Sequence, residues 1–191
     1  MAAKIFVLSG PGGAGKTTLV TKLFCRRSVG DRFIKAVTCT TRKQREGERD
    51  GKDYFFVDKK TFLERRGKGY FLETQKVLEN YYGTPRAFYL KAGQQKKHLF
   101  LCIDVKGGMY LKKHFKRGTI VTIFVAAPTA SDLRQRLIKR VEAQEFIRRR
   151  VALAKEEMGY AKYYDYVIVN RDIRESVNAL AAIIEAEQYR R

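Results

Sequence analysis

An α/β fold, with a parallel central sheet and helices on both faces, is predicted by three features of this chain. A glycine-rich run, SGPGGAGKTT over residues 9–18, lies between a short apolar stretch and an amphipathic one. Apolar runs of strand length recur later, and helical patterns follow them. Between these halves, residues 34–90 have a different texture, with short alternating stretches and frequent glycines.

Each element has its own reason. Residues 5–8, IFVL, are apolar throughout, as a strand covered on both faces requires. Residues 16 to about 26 read as the helix that opens at the glycine run. Residues 99–103 and 120–127 are further apolar strands with helical patterns after them, and 166–169 is a fourth, ahead of a closing helix over about 174–189. Strands alternating with helices imply right-handed crossovers and a parallel sheet. In 34–90, alternation at 36–40 and 53–57, turns at Gly47, Gly51, Gly67, Gly69 and Gly83, and one short helical pattern near 60–66 predict an inserted lobe with a small mixed sheet. Residues 134–150 are strongly basic. There Ile147, Val151, Ala154 and Met158 form an apolar stripe at helical spacing, with Arg150 near its edge and Arg149 on the opposite, solvent side.

Composition narrows the class. The 191 residues suffice for one full core, and the longest later apolar run, 120–127, is too short to cross a bilayer. The start, MAAKIFVLSG, is too short in its apolar part for a signal peptide. Three widely separated cysteines and two histidines suggest neither a disulfide framework nor a metal cluster, so a reducing, cytoplasmic setting is expected. The formal charge of +20 favours polyanionic partners, yet no groove-reading or single-strand motif is legible and no basic tail is present. No dedicated nucleic-acid or membrane partner is therefore expected, and oligomeric state is left open.

The glycine run carries the first chemistry. Gly10, four residues, then Gly15, Lys16 and Thr17 fit the G-x-x-x-x-G-K-S/T phosphate loop. Backbone N–H groups of Gly10, Pro11 to Ala14 and Gly15 frame an anion, apart from the proline nitrogen, and the first helical turn with Thr18 adds dipole. Lys16 would reach the β- and γ-phosphates of ATP, and Thr17 would offer its hydroxyl to Mg²⁺, held mostly by ATP phosphates and water. The lobe supplies a second anion site: Arg42 and Arg45 stand three residues apart beside Thr40 and Thr41, and Tyr54, Tyr81 and Tyr82 add phenolic donors.

Beyond these patterns, SGPGGAGKTT, VTCTTRKQREGERDGKDYFFV (37–57), GYFLE ending at Glu73, NYYGTPRA (80–87), IDVKG (103–107) and DYVIVN ending at Asn170 occur in an order that resembles guanylate kinase over nearly the whole chain. The resemblance implies a P-loop core (1–33, 91–130 and 151–191), a GMP-binding lobe (34–90) and a helical lid (131–150). It implies Mg²⁺-dependent transfer of the ATP γ-phosphoryl group to GMP, giving GDP and ADP, in purine nucleotide metabolism, with dGMP left open. Arg42, Arg45, Tyr54 and Tyr82 match ligands of the GMP phosphate; Thr38, Glu73 and Thr84 match readers of guanine. Asp104 corresponds to an acidic residue near the metal and acceptor. Arg136, Arg140 and Arg150 align, with Lys16, as catalytic cations, and Asn170 falls near the adenine-side loop. Departures are Thr38 for Ser, Cys102 for an acid, Lys106 for Gln, Thr74 for Trp, and a lid segment about one residue short. Two other readings stay open: a guanylate-kinase-like module that binds a phosphopeptide without catalysis, and a basic nucleic-acid binder that also holds ATP.

Overall fold

The structure is a computed structural model that describes residues 3–138 and 144–190. Its centre is a five-stranded sheet built from β1 (Ile5–Ser9), β2 (Phe33–Lys35), β7 (His98–Cys102), β8 (Ile120–Ala126) and β9 (Tyr166–Val169), in the order β2-β7-β1-β8-β9. All four pairings are parallel, with Ile5 in register with Leu99 on one side and Ile120 on the other. Because successive side chains alternate faces, Phe6 and Leu8 pack against α1 (Lys16–Phe24) and α8 (Ile173–Tyr189). Ile5 and Val7 face α4 (Arg86–Gln94) and α5 (Val105–His114) instead. Both faces are covered over β1, β7 and β8, which is why these strands read as continuous apolar runs.

β2, which follows the one-turn helix α2 (Arg27–Gly30), escaped the sequence reading of the central sheet. Phe-Ile-Lys is too short to show a period, and only its pairing with β7 makes it the edge strand. α4 was likewise not anticipated, since among its buried residues only Ala92 marks an inner face.

The second sheet has the order β4-β3-β6-β5, from β3 (Cys39–Thr40), β4 (Phe55–Phe56), β5 (Phe71–Val77) and β6 (Asn80–Pro85). β3 and β4 are parallel while β6 runs antiparallel to β3 and β5, giving the expected mixed sheet. Its small core is aromatic: Phe62 of α3 (Lys59–Gly67) stacks on Phe71 at 4.6 Å and on Tyr81 at 5.5 Å. Asp58 caps α3 by accepting from the Thr61 amide at 2.8 Å.

The segment expected to form a lid, 131–150, falls on α6 (Ala130–Ile138) and the first part of α7 (Gln144–Met158). Leu133, Leu137 and Ala154 bury against one another with Val151 beside them. The expected stripe fails in its last turn, where Met158 is exposed and Glu157 is buried. Arg149 also departs from expectation. It does not stand alone in solvent but donates through Nη2 to Glu79 Oε1 at 2.6 Å, in the turn between β5 and β6. Among the described residues no helix is long and apolar enough to cross a membrane.

Candidate active site

Parallel strands open their loops at the same end, and that end of the central sheet carries the site. The phosphate loop follows β1, Thr38 lies beyond β2, Asp104 follows β7 and Asn170 follows β9. The loop's curl depends on glycine: Gly10 has φ of +143° and a Cβ there would overlap the Val125 carbonyl, while Gly15 caps α1 at φ of +91°. Lys16 Nζ bends back over the loop, donating to Gly10 O at 2.5 Å and Pro11 O at 3.0 Å.

One cleft joins the loop to the lobe. Gly10, Gly12, Gly13, Lys16 and Thr17 line one end; Thr38, Arg42, Arg45, Tyr54, Glu73 and Tyr82 line the other; Asp104, Arg150 and Glu157 stand between. The structure thus brings together residues of the two anion sites expected from the sequence, which lie far apart along the chain. Pro11, Ala14, Gly15 and Thr18 support the loop without lining this cleft. Arg140 lies outside the described residues.

The floor of the lobe end is Glu73, 4% exposed. Its Oε1 accepts from the Thr84 amide at 3.1 Å and the Thr84 hydroxyl at 2.7 Å, whereas the buried Oε2 has no partner. Thr84 is therefore behind the carboxylate, fixing its rotation. Gly107 makes room, since a Cβ there would lie 2.8 Å from Glu73 Oε2. Burial, reinforced by Asp104, pushes the Glu73 carboxyl up to about 8. A donor-bearing ligand is the natural partner for such an atom.

The anion end of the lobe is held by a residue the sequence reading passed over. Glu48 grips Arg42 Nη2 with both oxygens, at 2.8 and 3.0 Å, and accepts from the Arg45 amide at 2.9 Å. The Arg42 guanidinium also lies 5.3 Å from the centre of the Tyr54 ring. Burial pushes the Tyr54 phenol up to about 12, so it stays a neutral donor. An acid inside a basic loop was the signal for Glu48, and it is visible in REGE.

At the loop end, Arg150 projects over Gly12: a Cβ on that glycine would sit 3.7 Å from Arg150 Nη1. Glu157, two helical turns beyond Arg150 on α7, enters the same cleft. Burial pushes its carboxyl up to about 7, against the pull of Lys16. Its spacing of seven from Arg150 was the sign the sequence held. Asp104 caps α5, accepting from the Gly107 amide at 2.9 Å, and burial raises its carboxyl too. Cys102 lines the cleft as a thiol whose burial pushes it up, so this position is neutral.

Two expected ligands stand behind the loop. Asn170 is buried, donates from Nδ2 to Ala14 O at 2.8 Å and so braces the loop. Arg136 Nη2 donates to Asn170 O at 3.2 Å.

The guanylate kinase family model matches residues 2–187. A guanylate kinase of Thermotoga maritima is 38% identical over 189 residues, covering 98% of this chain and 89% of that protein. One of Wolbachia pipientis wMel is 41% identical, covering 98% and 92%. The crystal structure of guanylate kinase from Anaplasma phagocytophilum superposes with a TM-score of 0.81 at 33% identity, covering 99% of this chain and 88% of that one. A shikimate kinase from Acinetobacter baumannii, at 14% identity and a TM-score of 0.50, shares the fold alone. Sequence and three-dimensional likeness span both sheets and the lid, and on that breadth the chain belongs to the guanylate kinase family.

Proposed function

We propose that this cleft transfers the γ-phosphoryl group of ATP to GMP, with Glu73 reading the base. The observation that carries the reading is the buried, partnerless Oε2 at the cleft floor. Guanine offers adjacent N1–H and N2–H donors that a carboxylate accepts together, and adenine has no donor pair on that edge. Thr38 lines the same cleft as Glu73, and Arg42, Arg45, Tyr54 and Tyr82 would hold the acceptor phosphate. An anion there would satisfy the Arg42 guanidinium, which Glu48 already orients.

The donor triphosphate would lie along the loop amides, within reach of Lys16. Transfer needs no covalent intermediate: an oxygen of the GMP phosphate forms a bond to the γ-phosphorus as the β–γ bridging bond breaks, and the electron pair leaves on ADP. Lys16 and Arg150 neutralise the charge that spreads over the transferring group. Closure of lobe and lid excludes water, which would otherwise hydrolyse ATP. The donor set fits Mg²⁺, because the Thr17 hydroxyl is an oxygen donor in the cleft lining at the loop, where the triphosphate oxygens would lie. When bound through ATP phosphates, water and Thr17, the ion supplies charge neutralisation and phosphate orientation. Arg136 and Asn170 would act through the loop they brace. A cytoplasmic setting is proposed from the odd number and wide spacing of the three cysteines in the sequence.

A coupled assay with ATP and either GMP or AMP tests the reading. GMP should be phosphorylated and AMP should be a very poor acceptor. Comparable rates would overturn the role of Glu73, and no turnover with either would leave a phosphopeptide module as the better account.

A further inference from the structure

The cleft uses only part of the charge of +20. At the opposite end of the central sheet, where the strands begin, the fold gathers basic segments that are far apart in sequence. Leu99 N donates to Lys4 O at 3.0 Å, Ile5 N to Thr119 O at 2.8 Å and His98 N to Arg32 O at 3.0 Å, so the entries to β1, β2, β7 and β8 lie side by side. α5 runs back to this pole, and Lys112 Nζ donates to Tyr163 O at 2.8 Å, drawing in the turn ahead of β9.

The carboxylates of this pole are engaged by cations. Glu187 pairs with Lys4 at 3.0 Å and Arg190 at 2.9 Å, Asp165 with Lys112 at 2.7 Å, Glu185 with Arg32 at 3.2 Å and Asp31 with Arg27 at 3.9 Å. Lys96, Lys97, Lys113, Lys116, Arg117 and Lys162 are then left over; among the described residues none of the six has a carboxylate partner within ion-pair distance. All but Lys97 are exposed. Complementing a helix dipole accounts for Lys113 at the end of α5, but the other five lie outside that helix.

The exposed rings of this region are tyrosines. Tyr110, 43% exposed, stacks on His114 at 4.0 Å along the outer side of α5; Tyr163, 51% exposed, carries Lys162 at 5.0 Å from its ring centre; Tyr189 ends α8 at 76% exposure. Among the described residues the exposed large aliphatic side chains are Ile138, Met158, Val167, Val169 and Leu90, and none of them lies in the segments that carry the six cations. Cations for a phosphate backbone together with partly exposed rings suit unpaired bases, whereas a membrane surface would call for aliphatic side chains to insert.

We propose that this pole is a binding surface for single-stranded nucleic acid, separate from the nucleotide cleft. The five-residue β1 puts about 17 Å between the two, so both can be occupied together. The charge excess of the chain then has a place and a partner.

The test uses the full chain and a fluorescently labelled 20-mer of oligouridine, with anisotropy read across a salt series. Wild type should bind, with affinity falling as salt rises. In the K113E/K116E/R117E variant affinity should drop at least ten-fold and the slope of log affinity against log salt should flatten by about 2, for three lost phosphate contacts. Y110A/Y163A should weaken binding by about thirty-fold or more with the slope unchanged, which separates stacking from charge. GMP phosphorylation should remain at wild-type rates in both variants, which also reports that they fold. The proposal is overturned if wild type does not bind at about 150 mM salt, if the triple variant binds like wild type, or if saturating ATP and GMP displace the oligomer. Binding to phosphatidylserine vesicles without binding to the oligomer would also overturn it, in favour of a membrane surface.

Discussion

Replacing Glu73 by Gln exchanges one oxygen for an NH₂ group at the cleft floor, and the structure decides which oxygen. Both Thr84 donors converge on Oε1, at 3.1 and 2.7 Å, so the amide carbonyl must stay there and the new NH₂ takes the place of Oε2. A donor then faces the N1–H and N2–H donors of guanine. Hydrogen bonds to a charged acceptor are worth about 1.5–3 kcal/mol each, so losing two gives a fall of roughly 10²- to 10⁴-fold in kcat/KM for GMP. The pH profile supplies a second readout. Because Glu73 is raised to about 8, mainly by burial, the ligand-free protein holds this proton below that pH, and GMP must expel it in order to meet a carboxylate. Apparent GMP affinity in the wild type should therefore climb by up to about ten-fold per unit between pH 6 and 8 and level off above, and this component should vanish in Glu73→Gln. The same shift has the opposite consequence for folding. An acid whose pKa is raised in the folded state costs stability as pH rises from its unfolded value toward 8, so the melting temperature of the variant should gain on wild type across that window. Calorimetric GMP titrations and steady-state kinetics at matched pH measure the first two effects. A variant within three-fold of wild type, or superimposable pH profiles, would refute the reasoning about Oε2.

Three further outcomes are expected. Lys16→Met should lower turnover on the order of 10³-fold or more while a GMP titration stays unchanged, since the acceptor phosphate has its ligands in the lobe. Arg150→Ala should lower turnover roughly 10³-fold with little change in GMP affinity, whereas Arg149→Ala should stay within about five-fold, because its pair with Glu79 is exposed on both sides and such pairs contribute little; equal losses would mean that the guanidinium over Gly12 is not the one that meets the phosphoryl group. Glu48→Ala should raise KM for GMP about ten-fold at near-constant kcat, as Arg42 loses its bidentate partner, and Glu48→Asp should recover less than full affinity because the shorter side chain cannot grip both groups.

The sequence by itself determined the elements whose physics is local or periodic. The glycine run set the phosphate loop, because only glycine tolerates the backbone that Gly10 and Gly15 adopt. Continuous apolar runs set β1, β7 and β8, because strands covered on both faces need no polar side, and the same kind of run set β9, although Val167 and Val169 stand exposed at the sheet edge. The ordered motifs were enough to suggest the family and the residues of the base and phosphate sites. What depended on partners remote in the chain was settled only by the tertiary structure. β2 is three residues without a period and becomes a strand through β7. Glu157 replaces Met158 on the buried side because the end of α7 packs toward the cleft, an orientation that helical spacing alone leaves free. Arg149 finds Glu79 seventy residues away, across the gap between lid and lobe. Glu73 shows the division most clearly: its type was legible as a guanine reader, but that one oxygen is spent on Thr84 while the other is orphaned follows from β5 and β6 pairing in this register, which long-range hydrogen bonding decides.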